Sequence, residues 1–178
     1  MKPQVGSNSK PRKVRRTEQL ILFNVGAHRF AIAASAVHEI RSTDSLAGAA
    51  AALAQTELPH VQHMIHRGKR TYFVVHGGDH FQLPAARPTL VLVLRDSRVA
   101  VLVDAIDRMA TISRLYALPR AFSGDERQWY RGLALIEDRV VPVVNPSGFL
   151  SDKDVQRLDE YAAIAAEQIT PVEGSIPV

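Results

Sequence analysis

The chain has 178 residues, 46% of them apolar and 22% charged, with no cysteine; this is ordinary for a globular protein and excludes disulfide staples and thiolate metal sites. The net charge of +4 is concentrated in one segment: residues 1–16 hold six Lys/Arg and no acidic residue, and the other 16 basic and 18 acidic side chains sum to −2. No apolar run approaches the ~18 residues a membrane span needs, and the first residues lack the apolar h-region of a secretory signal, so a soluble protein is expected.

Residues 1–17 read as a disordered basic arm. "MKPQVGSNSKPRKVRR" is polar and has almost nothing to bury against its ordering entropy. From Leu20 the pattern becomes short apolar runs punctuated by turns. "LILFNV", "GAHR" and "FAIAA" predict a hairpin turning near Gly26. "SAVHEI" continues extended, with Val37 and Ile40 expected inside. "TDSLAGAAAALAQ" is Ala-rich behind Thr43 or Asp44 as N-cap and predicts a short connecting helix. "HMIHRGKRTYFVV" sets the turn Arg67-Gly68-Lys69-Arg70 between two apolar runs, a second hairpin, and "HGGDHFQLPAARP" is a Gly/Pro loop.

"TLVLVLRDSRVAVLVDAIDRMATI" predicts a strand, a polar turn at 95–98, a second strand and an extension through Ile106 and Met109. Its unbroken apolar runs suit strands buried on both faces. "ALPRAFSGDERQWY" is loop, and "RGLALIEDRVVPVV" is a last hairpin, with Pro142 expected at an edge or bulge. "SDKDVQRLDEYAAIAAEQI" opens with a capping box, Ser151 and Asp154. Val155, Leu158, Ala162 and Ala165 then share one helical face expected to dock on the β core, and the last residues are expected to fray.

Both hairpin types recur at one offset. Residues 21–40 lie over 90–109 with Arg29/Arg98, Ala31/Ala100 and Ala36/Ala105 identical, and Arg70, Tyr72 and Val74 precede Arg139, Val141 and Val143 by the same 69 positions. The expectation is two like-built β subdomains of about five short strands within residues 18–150, too small to be stable apart and therefore packed on each other. Residues 151–178 add the helix and a tail.

For catalysis the sequence offers no constellation. G-x-S-x-G, H-E-x-x-H and the phosphate-loop pattern are absent, and Gly77-Gly78 is an isolated pair. Asp104 and Asp107 close an apolar strand, where an Asp caps a turn. Seven histidines fall between positions 28 and 80. His60, His63 and His66 have helical spacing, yet Pro59 and Gly68 argue for extended structure in which they diverge, with no carboxylate among them. They read as surface and turn histidines, so no metal, no cofactor and no enzymatic activity are expected.

In their order, "LILFNVGAHRFAIAASAVHEI", "IHRGKRTYFVV", "LVLVLRDSRVAVLVDAIDRM" and "YRGLALIEDRVVPVVNPSGFL" resemble the CheW-like adaptors of bacterial chemotaxis, from about residue 19 to 150. The resemblance implies a mainly β fold of two SH3-like five-stranded barrels on a shared apolar core. It implies a non-enzymatic, cytoplasmic scaffold with no small-molecule substrate, which couples the cytoplasmic tips of methyl-accepting chemoreceptors to the regulatory domain of the histidine kinase CheA and meets the membrane only through receptor arrays. By the family's pattern, partner contacts fall at Val37 and Glu39 and at Arg67 and Gly68 of the Arg-Gly turn. Val103 and Ile106 match exposed apolar positions on the barrel ends. The first half departs from that pattern: Ile65-His66 stand where the family has Asn-Leu, Tyr72-Phe73 where it has Pro-Val, and Val75 where it has Asp. A specialised adaptor, such as one serving a pilus, fits that drift. The alternative is a small-barrel binder of nucleic acid or anionic surfaces through the basic arm; against it, the remaining chain is slightly acidic and lacks an aromatic-basic alternation, so no nucleic acid is expected.

Overall fold

The computed structural model of the chain describes residues 17–46, 50–53, 57–84 and 86–168, so the basic arm at 1–16 and the tail after Gln168 lie outside the described residues. Within them run β1 (Glu18–Val25), β2 (His28–Ala33), β3 (Val37–Ser42), β4 (Ala50–Ala52), β5 (Val61–Arg67), β6 (Arg70–His76), the short helix α1 (Gly77–His80), β7 (Leu90–Leu94), β8 (Val99–Val103), β9 (Ala105–Ile112), β10 (Tyr130–Ile136), β11 (Arg139–Val144) and the helix α2 (Asp152–Gln168).

Two sheets result, in the orders β10-β11-β2-β1-β9 and β3-β7-β8-β6-β5-β4. Moving β3, β7, β8, β6 and β5 by the 69-residue offset gives β9, β1, β2, β11 and β10 in turn, so the two five-strand orders are the same. Sequence halves and sheets nevertheless do not coincide. Each half was expected to build its own bundle; instead the opening hairpin β1–β2 pairs with β9 and β11 of the second half, while β7–β8 lies beside β3 and β6 of the first. The hairpins are exchanged, which ties the two barrels into one core.

That exchange accounts for the unbroken apolar runs. Leu20, Leu22, Ala31, Ala134, Val141 and Val143 form a cluster drawn only from the first sheet, and Ile65, Tyr72, Val74, Val91, Val93 and Ala100 one drawn only from the second. The alternate positions Ile21, Phe23, Phe30, Phe73, Leu92, Val99 and Val101 meet in a third cluster that both sheets share. Successive side chains of a strand point to opposite faces, so each run fills a barrel interior with one set and the common core with the other. Most of the apolar burial that stabilises the fold lies on these strands.

Three local expectations are corrected. The Ala-rich connection begins with a 3₁₀ turn at Thr43–Leu46, but Ala50–Ala52 is an edge strand on β5, Ala50 opposite Ile65; pairing with an open sheet edge outweighs the weak helical preference of alanine. Ile40 is 41% exposed, because the β3–β7 register shifts between Val37 and Glu39 and a bulge re-aims the residues after it. Pro142 stands on β11 between two neighbours, opposite Leu133. Its missing N–H is tolerated because β11 meets β2 at a single registered pair, Val143 with Ala31.

The capping box is reciprocal: Asp154 N donates to Ser151 Oγ at 3.2 Å, and Ser151 N donates to Asp154 Oδ2 at 2.9 Å. Leu158 is fully buried in the shared core, with Val155 and Ala162 packed beside it. Arg98 holds the same helix from β7–β8, donating to both carboxylate oxygens of Asp159 at 2.5 and 2.6 Å with its guanidinium 5.0 Å over the Phe73 ring. Ser151→Ala removes one half of the cap and is expected to cost about 1 kcal/mol in urea unfolding.

Candidate partner-binding site

Glu39 and Arg67 come together from far apart in the sheet. Glu39 is on edge strand β3 and Arg67 ends β5, with β7, β8 and β6 between them in the strand order, yet the Arg67 guanidinium donates to Glu39 Oε1. Only a sheet curled into a barrel brings these strands into contact, and the ion pair lies across the seam. Arg41 Nε reaches the same oxygen at 2.5 Å. One carboxylate thus serves two guanidinium groups and leaves a surplus positive charge, increased by the exposed Lys69 and Arg70 of the adjoining turn. A groove of about 270 Å³ opens here, running from Glu39, Arg41 and Arg67 down to Ile65, Val91 and Val93 of the barrel interior.

Gly68 sits beside Arg67 at φ +57°, and a Cβ built there would meet nothing within 4 Å. Conformation rather than space selects glycine at this turn. The equivalent turn of the other barrel is Glu137-Asp138, both at positive φ, as a type I′ hairpin turn requires. There Arg108 of β9, 69 positions on from Glu39, pairs with Glu137 at 2.6 Å. The two barrels therefore close their seams with the same pairing in opposite polarity: acid on the strand and base at the turn in one, base on the strand and acid at the turn in the other.

The remaining expected contact residues are placed differently. Val103 is 0% exposed and Val37 is also buried, both in the shared core. Val103 was expected on an exposed barrel end; alternation along β8 points it, with Val99 and Val101, at the other sheet. Ile106 lies on β9 opposite Phe23 and is half-buried against that core. So the half-buried Glu39 and Arg67 share one seam with the exposed Gly68, whereas Val37, Val103 and Ile106 belong to or pack against the core that both sheets share. Arg41 was not singled out in the sequence; the signal was its i+2 spacing from Glu39, which puts both on one face of a strand.

The strand-end carboxylates act as turn ties. Asp104 Oδ2 accepts from Gly26 N at 3.0 Å and Arg87 N at 2.9 Å, and Asp107 pairs with Arg29 at 3.0 Å. Among the histidines, His63 and His66 are exposed on β5. His80 is instead buried at 6% exposure, against the expectation of a surface or turn residue, because α1 folds its ring onto Phe81, Trp129 and Phe149. Burial, reinforced by the nearby His60, holds the His80 pKa down at about 3. Among the described residues no helix is long and apolar enough to cross a membrane.

The family model described as "CheW-like domain" matches residues 19–154. Among solved structures, the crystal structure of the scaffolding protein TtCheW from Thermoanaerobacter tengcongensis is similar, with a TM-score of 0.63 at 13% identity over 77% of this chain and 95% of that one. Comparison with curated proteins finds no match. The mainly β body of two SH3-like barrels with a closing helix shares its fold with that scaffolding protein, and the chain belongs to the CheW-like domain family.

Proposed function

We propose that the chain is a chemotaxis-type adaptor that couples methyl-accepting chemoreceptors to the histidine kinase CheA, at the cytoplasmic face of receptor arrays and without catalysing a reaction. What supports this reading is the seam cluster of Glu39, Arg41 and Arg67 beside Gly68, carried on a CheW-like domain. One carboxylate shared by Arg67 and Arg41 leaves positive charge at the seam for a partner to neutralise. The Arg67 guanidinium is already oriented by Glu39, and a planar fork held in place suits two-point recognition of a carboxylate on a partner. The residues around this turn depart from the family's pattern at Ile65-His66 and Tyr72-Phe73, and a specialised array, such as one controlling a pilus, is compatible with that departure.

Single contacts of this kind give modest affinity, and the repetition of an array supplies avidity. Arg67→Ala is expected to lower retention by receptor-containing membranes or by the kinase about tenfold, with Glu39→Ala acting in the same direction because Arg67 loses its orientation. Arg67→Lys keeps the charge but not the fork and falls between. Unfolding midpoints of the Arg67 variants should change less than retention does, the seam pair being still about a third accessible to solvent. Co-sedimentation with each partner checks this. If wild-type protein is retained by neither, or if the substitutions leave retention unchanged, the adaptor reading is wrong.

A further inference from the structure

We propose that the cleft lined by His80, Trp129 and Phe149 is a binding site for a small organic cation that carries N–H donors, a primary ammonium or a guanidinium. It goes beyond the adaptor reading and uses none of the seam residues. The cleft lies where α1, following β6, faces the 3₁₀ turns at Asp125–Trp129 and Pro146–Gly148 that flank β10 and β11. Its volume is about 510 Å³, within the range of small-molecule sites.

Three independent features specify the ligand. The first is an unpaired polar atom: His80 Nε2 is buried and, among the described residues, has no hydrogen-bond partner, although buried polar atoms nearly always have one. The second is an aromatic wall. The rings of Trp129 and Phe149 stand 4.8 and 4.9 Å from that of His80, centroid to centroid, with His60 at 5.6 Å, and aromatic faces attract cations. The third is charge. Asp79, Asp125 and Asp154 line the cleft, and among the described residues no Lys or Arg does.

Other ligand classes fit worse. An anion meets three carboxylates, and an apolar molecule leaves His80 Nε2 unpaired at a desolvation cost. A metal ion is disfavoured because, among the described residues, no three His, Asp or Glu side chains converge to hold one. A protonated amine or guanidinium donates to His80 Nε2 and to the carboxylates while its alkyl stem covers the rings. Burial keeps both His80 and His60 from protonating readily, so the imidazoles stay neutral and do not compete with the ligand's charge.

The walls are built before any ligand arrives. Asn145 N donates to Trp129 O at 2.8 Å and Asn145 Nδ2 to Gln128 O at 3.1 Å. A Cβ on Gly148 would lie 2.4 Å from Gln128 O, so the two turns are in direct contact and the backbone that carries Trp129 is held in place. On the opposite side His76 Nδ1 accepts from Asp79 N at 3.3 Å and caps α1. Preorganised walls of this kind reduce the ordering cost of binding.

Trp129 is the chain's single tryptophan, so its fluorescence reports on the cleft directly. Agmatine, which carries a guanidinium and a primary ammonium, is the probe, and 1-butanol at equal concentration and ionic strength is the uncharged control. The expected result is a saturable change with agmatine at a dissociation constant of about 1 mM or below, and none with 1-butanol. His80→Phe should weaken binding about tenfold, the equivalent of one lost hydrogen bond. Asp125→Asn, on an exposed turn where folding is not at risk, should weaken it about threefold. The proposal is overturned by no saturable response, by an equal response to 1-butanol, or by both variants binding as the wild type does. Such a failure leaves the adaptor reading intact, since co-sedimentation depends on Arg67 and Glu39.

Discussion

Leu158→Ala is expected to destabilise the folded chain by about 2–5 kcal/mol, seen as a lower urea midpoint at unchanged slope. Leu158 is among the largest fully buried side chains, and it enters the core that both sheets share. Truncation there loses transfer energy and leaves a cavity between rigid strands that have little freedom to collapse into it. Asp159→Asn, one residue on, is the internal comparison. It breaks a two-point ion pair with Arg98, but the side chains are 34% and 45% exposed, so about 1 kcal/mol or less is expected. If the two substitutions cost the same, the helix is held by its charged rim and not by the core. The helix also determines whether Asp154 faces the aromatic cleft, so Leu158→Ala should weaken amine binding as well as stability.

His80 is expected to make the protein acid-sensitive. Burial, with His60 nearby as the lesser cause, lowers its folded pKa to about 3 from the ordinary 6.5. A depressed histidine pKa means that the unfolded chain takes up the proton first, so stability rises with pH across the window between the two values. Above pH 6.5 both states are neutral and nothing is lost. As pH falls from 6.5 toward 3 the folded state is progressively disfavoured, by on the order of 4 kcal/mol at the lower end. Carboxylates also titrate toward the bottom of that window, so the measurement is the difference between wild type and His80→Phe. That difference should be flat above pH 6.5 and should grow in favour of the variant below it. A variant that loses as much stability as the wild type between pH 6.5 and 4 would show that desolvation of His80 is not the cause.

The basis of the adaptor reading was visible in the residues themselves. Phe-Ala-Ile at 30–32, the Arg-Gly turn at 67–68 and the paired runs at 90–94 and 99–103 each predicted a strand or turn that the structure contains. Their recurrence at 69 positions announced a duplicated strand order. Hydrophobic alternation is a local property, and so were the capping box at Ser151 and Asp154 and the helical face carrying Leu158. Ala50–Ala52 was not legible, because whether alanine forms a helix or an edge strand depends on an unfilled edge elsewhere in the chain. Ile40 was misplaced for a related reason: a bulge shifts register, and a bulge leaves no mark in apolar periodicity.

What the sequence determined by itself was the set of strands apart from β4, the turns between them, the closing helix and the family, since each follows from side-chain period, turn chemistry or an ordered pattern of residues. Only the tertiary structure decided which strands share a sheet, and with that the rest of the site. The exchange of β1–β2 and β7–β8 between the halves put Val37 and Val103 inside and left Glu39 facing Arg67 across a closed seam. It likewise brought His80, Trp129 and Asp154, from three separate stretches of chain, to one cleft. Pairing partners are chosen by the burial gained over the whole chain, a non-local quantity that no window of sequence contains.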